Sequence, residues 1–307
     1  MTKIAIVGSG LIGRSWALVF ARAGMDVVAW DPDEGTRERL DADVAAMLRD
    51  SDLTEPAAVA ARIAGVATLA EALAGADLVQ ESGPENAEIK RELFARMDAA
   101  AAPETILASS SSALVPSVFS SGLSGAARCL VAHPVNPPHL VPVVELCPSP
   151  ETAPVVMDRA EAIYRRAQQV PVRLTREIDG FVLNRLQAAL LAEALWLVSE
   201  GVVDVQGLDD TMRHGLGRRW AFMGPLETIM LNAPNGATDY MVRYGGPMGR
   251  LADDSAGGEA FSAKAAEALA EAFPALSNGA AIRDRQNWRD GELAALDAHL
   301  SERRAKD

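Results

Sequence analysis

Apolar positions divide the chain into two kinds of territory. Up to about residue 174, short β-branched runs alternate with longer segments whose apolar residues recur at helical spacing; beyond it the strand-like runs stop. Lys3-Ile4-Ala5-Ile6-Val7 is an unbroken apolar run after its lysine, the pattern of a strand covered on both faces. A glycine turn and an apolar-periodic stretch from Trp16 to Ala23, stopped at Gly24, follow it. Val27-Val28-Ala29-Trp30 predicts the second strand and residues 33–62 a helix. Ile63 to Thr68 and Asp77 to Glu81 read as short strands, Glu85 to about Ala101 as an amphipathic helix, and Thr105 to Ser109 as a strand. Val143 to Cys147 is a further strand, residues 151–168 a helix and Val170 to Leu174 the last strand. Helical periodicity then runs from Phe181 to Ser199 and Val203 to Gly215, with Gly/Pro breaks at 245–249 and a polar helix from about Ala281 onward. The pattern predicts an α/β fold: a Rossmann-type, mostly parallel sheet domain over residues 1–177, then an all-helical C-terminal domain over residues 178–307.

The length of 307 residues suits two domains with a full core each. A formal net charge of −13 and a pI near 4.8 argue against nucleic acid and anionic membranes as partners, since both require a basic surface. Only Cys129 and Cys147 occur, in apolar strand-like settings and without the spaced Cys/His sets that zinc requires. Both read as reduced core thiols, and no metal is expected. The first residues lead straight into a predicted strand, so no leader peptide is expected, and no apolar run is long enough to span a bilayer; the expected compartment is the cytoplasm.

Candidate chemistry starts at Gly8-Ser9-Gly10-Leu11-Ile12-Gly13, a GxGxxG set between a strand and a helix. In that context Gly8 allows the tight turn, Gly10 lets backbone approach a pyrophosphate and Gly13 permits close helix packing, with the helix N-terminus facing the phosphates. Asp31 ends the second strand, at the distance on where an acid accepts the adenosine ribose hydroxyls. Asp33 and Glu34 follow it, and three carboxylates repel a 2′-phosphate, so NAD rather than NADP is the expected cofactor; a glycine turn in a nucleotide-free α/β fold is the ordinary alternative. Glu85 and Lys90 follow the carboxyl end of a strand; their spacing is that of a solvated helix face, and their place is that of ligand contacts.

A second concentration lies at Val131 to Glu145, where four prolines stiffen a span holding His133 and Glu145. It reads as a rigid loop presenting a histidine. An isolated histidine there can simply satisfy a backbone carbonyl. The serine run Ser109-Ser110-Ser111-Ser112 upstream and Asn184 downstream can each bring an uncharged hydrogen-bonding group to it, and Asn184 on an apolar stripe needs partners in any case.

Together these residues resemble the 3-hydroxyacyl-CoA dehydrogenase superfamily, and within it the L-gulonate 3-dehydrogenase (lambda-crystallin) branch. The likeness covers nearly the whole chain: Ile6 to Trp16, Ala132 to Glu145, Gly180-Phe181-Val182-Leu183-Asn184-Arg185-Leu186-Gln187, Gly224-Pro225-Leu226-Glu227-Thr228 and Arg285-Gln286-Asn287-Trp288-Arg289-Asp290. It implies His133 as base with Glu145 as its partner, Ser112 and Asn184 bonding the reacting oxygen, and NAD contacts from Leu11, Ile12, Asp31, Glu85, Lys90, Ser112 and Asn136. It also implies a helical domain that pairs with its copy in a homodimer.

The resemblance leaves a choice of substrate. A coenzyme A thioester carries several phosphate charges, and acyl-CoA members of the superfamily carry lysines where residues 33–62 here have none; no lysine occurs between Lys3 and Lys90. Arg219 lies where the gulonate branch also has arginine, and a guanidinium suits a bidentate grip on a free carboxylate; a surface ion pair is its ordinary use. The expected substrate is a small hydroxy acid, L-gulonate first, with (S)-3-hydroxybutyryl-CoA and L-carnitine as alternatives. Arg219-Trp220-Ala221-Phe222-Met223-Gly224 also resembles L-carnitine dehydrogenases, and His139 stands where an aromatic such as tyrosine is expected.

Overall fold

The computed structural model describes residues 2–49, 55–276 and 279–304. The chain divides into two compact units, Met1–Val182 and Leu183–Asp307. The division falls after Val182 rather than at residue 177, because Phe181 is fully buried in the core of the first unit with Leu174, and Ile178 packs against the same cluster.

The first unit is built on one eight-stranded sheet in the order β3-β2-β1-β4-β5-β6-β7-β8. The strands are β1 (Lys3–Val7), β2 (Asp26–Trp30), β3 (Ile63–Gly65), β4 (Leu78–Glu81), β5 (Ile106–Ser109), β6 (Cys129–Pro134), β7 (Val143–Pro148) and β8 (Val170–Arg173). Pairing is parallel except between β6 and β7, which are antiparallel. The segment between those two is too short for the crossover that parallel strands need, so the chain turns straight back.

The continuous apolar runs mark burial on both faces. Ile4 and Ile6 face a cluster with α1 (Leu11–Arg22), while Ala5 and Val7 face a second cluster on the other side. The helices that follow are α2 (Glu34–Arg49), α3 (Pro56–Ala60), α4 (Leu69–Leu73), α5 (Ala87–Ala100), α6 (Ser117–Ser120) and α7 (Pro154–Arg166). Trp16 and Phe20 of α1 stack, and Tyr164 of α7 packs tilted against both, with ring centroids 5.4–5.8 Å apart on the first face. Phe94 of α5 and Phe119 of α6 close the second at 4.3 Å. The helix expected over 33–62 is divided into α2 and α3, with Pro56 opening the second; residues 50–54 lie outside the described residues.

A buried ion pair fastens α5 to the turn before β6. Asp98 accepts from Arg128 at 2.7 Å, from Ser124 Oγ at 2.9 Å and from the Gly125 N–H at 3.1 Å. Burial pushes its carboxyl up, but those hydrogen bonds outweigh burial and hold it below the ordinary aspartate value of 3.8. A carboxyl depressed on folding stabilises above its unfolded value and loses that contribution as pH falls through the folded one. Asp98→Ala therefore costs about 3–5 kcal/mol at pH 7, the effect of breaking a buried pair. Denaturant titrations should show the difference from the parent narrowing only below pH 3.8; a gap independent of pH would contradict the assignment.

The second unit is helical. It opens with α8 (Leu183–Ser199), and its later helices include Val205–Thr211, Gly217–Trp220, Pro225–Met230, Gly246–Asp253, Ala263–Ala272 and Gly279–Arg304. The helix over Val205–Thr211 continues through a wider π-type turn, Met212–Leu216, into Gly217–Trp220. Large apolar side chains stay exposed on this unit, among them Leu186, Trp196, Leu226 and Val242. No helix among the described residues is long and apolar enough to cross a membrane.

Candidate active site

The glycine turn after β1 is shaped by contacts that only glycine permits. A Cβ on Gly13 would lie 1.9 Å from the Gly8 carbonyl oxygen, which locks α1 against the turn. Gly8 takes φ +93°, and a Cβ there would approach the Ser82 backbone to 2.9 Å. Gly10 has open space where its side chain would be, and Leu11 behind it is 57% exposed. The buried Ser9 hydroxyl has no hydrogen-bond partner within the protein among the described residues. Asp31 ties this turn to the end of β2, its carboxylate accepting from the Ser9 N–H at 2.8 Å and the Asp33 N–H at 2.9 Å.

The charge beside this turn is negative and stays so. Thr36, through its hydroxyl and its backbone N–H, holds the Asp33 carboxyl below its usual range. Arg37, the nearest base in sequence, points its guanidinium at the Asp31 carbonyl at 2.8 Å. A backbone cradle with Asp31 at the end of β2, and Asp33 beside it, fits NAD rather than NADP, whose 2′-phosphate these carboxylates repel. Asp31→Ser should raise the KM for NAD roughly 10–100-fold, the effect of losing a charge-assisted hydrogen bond of about 1.5–3 kcal/mol. Saturation kinetics in NAD check this; an unchanged KM would remove Asp31 from the cofactor site.

The carboxyl ends of β4 and β5 carry a buried polar network. Glu81, at the end of β4, is fully buried and receives Lys90 Nζ on both oxygens at 2.9 Å, the Ser109 hydroxyl at 2.6 Å and the Gly83 N–H at 2.6 Å. Lys90 is 1% exposed. The solvated-face reading of its spacing is thus corrected: α5 turns this residue inward because Glu81 supplies its countercharge. Glu85 is exposed and staples the serine run, accepting from the Ser111 hydroxyl and, at 3.2 Å, from the Ser112 N–H. Nearby, Tyr164 OH donates to Gln80 Oε1 and Gln80 Nε2 donates to Ser110 Oγ at 2.7 Å.

His133 belongs to β6, not to a loop. In the antiparallel register it stands directly opposite Glu145 of β7. The two side chains are buried, with His133 Nδ1 2.8 Å from Glu145 Oε2. The other carboxylate oxygen accepts the Val182 N–H at 2.9 Å. The stiff segment between the strands presents Asn136 at the surface and is tied down by Arg22, which donates to the His139 carbonyl at 3.0 Å. Cys129 and Cys147 are free and buried, and burial pushes both thiols up to about 12.

The model of the 3-hydroxyacyl-CoA dehydrogenase NAD binding domain matches residues 3–178, and that of the 3-hydroxyacyl-CoA dehydrogenase C-terminal domain matches residues 180–270. The chain belongs to this family. It is 48% identical to a lambda-crystallin homolog of Bos taurus over 95% of this chain and 94% of that one. It is 34% identical to an L-carnitine dehydrogenase of a Pseudomonas species over 98% and 95% of the two chains. Among solved structures, an NAD⁺-dependent 5-formyl-3-hydroxy-2-methylpyridine 4-carboxylic acid 5-dehydrogenase superposes with a TM-score of 0.81 at 26% identity, covering 98% of this chain and 99% of that one. The protein is thus an NAD-dependent oxidoreductase of the 3-hydroxyacyl-CoA dehydrogenase family, and the glycine cradle and Asp31 are the residues that fit its cofactor.

Within this family framework the predicted residues fall into four groups. Gly8, Gly10, Leu11, Ile12, Gly13 and Asp31 surround the turn after β1. Glu85, Lys90 and Ser112 gather at the ends of β4 and β5, and His133, Glu145 and Asn136 at β6 and β7. Asn184 and Arg219 belong to the helical unit, the first half-buried in the opening turn of α8 and the second exposed. One residue that periodicity does not single out completes the first unit's polar architecture, Glu81. An acid closing a fully buried strand is the signal that could have found Glu81.

Proposed function

We propose that the enzyme oxidises the 3-hydroxyl of a small hydroxy acid, L-gulonate, to the 3-keto acid, with His133 as general base. The observation carrying this reading is the buried His133–Glu145 contact at 2.8 Å. NAD accepts the hydride that leaves the substrate carbon. Glu145 accepts a hydrogen bond from the Nδ1–H, which fixes the tautomer and leaves the Nε2 lone pair to receive the hydroxyl proton; the carboxylate then stabilises the imidazolium. The Ser112 hydroxyl and the Asn184 amide are assigned to the substrate oxygen, where uncharged donors favour the developing carbonyl without trapping an alkoxide. Glu85 supports Ser112 by holding its N–H at 3.2 Å. Glu85 and Asn136, both exposed, are assigned to the cofactor together with Leu11 and Ile12. Lys90 is assigned there through Glu81 and the Gly83 turn that the pair holds.

Arg219 is assigned to the substrate carboxylate, in keeping with its exposure and with the absence of lysine between Lys3 and Lys90 for a CoA phosphate chain. A second reading, L-carnitine, also offers a free 3-hydroxy carboxylate and is supported by the 34% identical L-carnitine dehydrogenase. The exposed apolar side chains of the helical unit support a homodimer, and the two free thiols a reducing, cytoplasmic setting.

The test is the initial rate of NADH formation with L-gulonate, L-carnitine and 3-hydroxybutyryl-CoA at saturating NAD. Turnover of L-gulonate above the other two supports the reading, and a preference for the thioester overturns it. Arg219→Met should raise the KM for the preferred acid about 10–100-fold, the loss of a bidentate charged contact worth about 1.5–3 kcal/mol, with a smaller change in kcat. An unchanged KM would place Arg219 outside the substrate site.

A further inference from the structure

We propose that Phe181 is a positioning residue for the His133–Glu145 pair, packing its ring beside the imidazole while its backbone aims the next N–H at the carboxylate. The proposal rests on the reading of His133 as general base. Phe181 follows Gly180 at φ +74° and itself takes φ +52°, so two successive residues lie in the left-handed region. For glycine this is ordinary. For a residue with a β-carbon it is strained, and a phenyl side chain has no polar group with which to compensate locally, as asparagine or aspartate would. Such a residue persists only where its surroundings over-determine it.

Those surroundings are the apolar cluster around Leu174 and Ile178 and, beside it, the His133–Glu145 pair. Phe181 is fully buried, its ring centroid 5.2 Å from that of His133 at an interplanar angle of 38°. Its N–H closes a turn on the Ile178 carbonyl at 3.1 Å, which directs the next N–H, of Val182, at Glu145 Oε1. One left-handed residue therefore does two things: it lays a ring beside the imidazole and aims a donor at the free oxygen of the carboxylate. With Oε2 on His133 and Oε1 on Val182, the Glu145 carboxylate is held at both ends. The imidazole thus has the phenyl ring and the doubly held carboxylate as neighbours, and the two together restrict its tilt. Glycine at 181 would relieve the backbone and surrender this restriction.

The experiment compares Phe181→Leu, which keeps apolar bulk but removes the ring, with the parent enzyme in kcat, KM, NADH affinity and melting temperature. The substrate is whichever acid the substrate panel identifies. Expected are a tenfold or greater fall in kcat with NADH affinity unchanged, and no further loss when the change is made in a His133→Asn background. Phe181→Met gives the same split and serves if the leucine variant does not fold. A kcat within twofold of the parent, or the same factor lost again in the His133→Asn background, would overturn the positioning role. Full activity of His133→Asn by itself would instead refute the base assignment, so the two failures are distinguishable.

Discussion

His133→Asn should lower kcat about 10³-fold while leaving NADH affinity and the melting temperature close to those of the parent. The magnitude follows from what a positioned general base contributes, roughly 10²–10⁴ in rate. Asparagine occupies similar space and can still donate to Glu145, so the buried carboxylate at 2.8 Å is not orphaned and the fold is spared. What is lost is the lone pair at the Nε2 position and hence the acceptor for the hydroxyl proton. Glu145→Gln is the companion variant. It keeps the carbonyl oxygen that can accept from the Val182 N–H, but it removes the charge that stabilises imidazolium, so it should also lose kcat with NADH affinity retained. Steady-state rates and NADH fluorescence titration separate the two quantities. A His133→Asn enzyme within tenfold of the parent in kcat would rule the base assignment out.

The second large effect concerns the pair beneath the cofactor end of the sheet. Lys90→Met removes the only side-chain cation on Glu81 among the described residues and leaves a fully buried carboxylate with the Ser109 hydroxyl and the Gly83 N–H as donors. Breaking a buried pair from one side costs about 3–5 kcal/mol, since the remaining charge keeps its desolvation penalty without its partner. At about 2–4 °C per kcal/mol for a unit of this size, the melting temperature should fall by roughly 10 °C. Adding Glu81→Gln to Lys90→Met should recover much of that loss, because a neutral amide has no buried charge to compensate and still offers an acceptor to Ser109. If the single variant melts with the parent, or the double variant melts below the single one, the pair is not what holds this end of the sheet.

The legible part of the fold was the part written in local periodicity. The unbroken Ile4-Ala5-Ile6-Val7 run announced a strand covered on both sides, and Ile4 and Ile6 do pack on one cluster while Ala5 and Val7 pack on the other. The glycine spacing and Asp31 were legible because the turn needs those residue types: Gly13 has no room for a β-carbon, and an acid bonds the turn's own backbone. His133 and Glu145 were legible as a histidine and an acid in one span, but not as residues that face each other across two strands. Four prolines made their span read as a loop, whereas the prolines only terminate and stiffen the connection between two interior strands. Lys90 was read equally as a solvated charge, because a helical wheel gives the direction of a side chain and not what waits there.

By itself, then, the sequence determined the succession of strands and helices, the NAD cradle and the types of residue available for catalysis, since each depends on a few neighbouring positions. Only the tertiary structure decided which groups meet. His133 and Glu145 face each other because β6 and β7 pair antiparallel in one particular register. Lys90 is buried because β4 ends in an acid below it, and the left-handed Phe181 brings its ring against an imidazole 48 residues earlier in the chain, counting from 133 to 181. Burial, charge pairing and strain are properties of contacts between distant segments, and their energies depend on desolvation that no local pattern records.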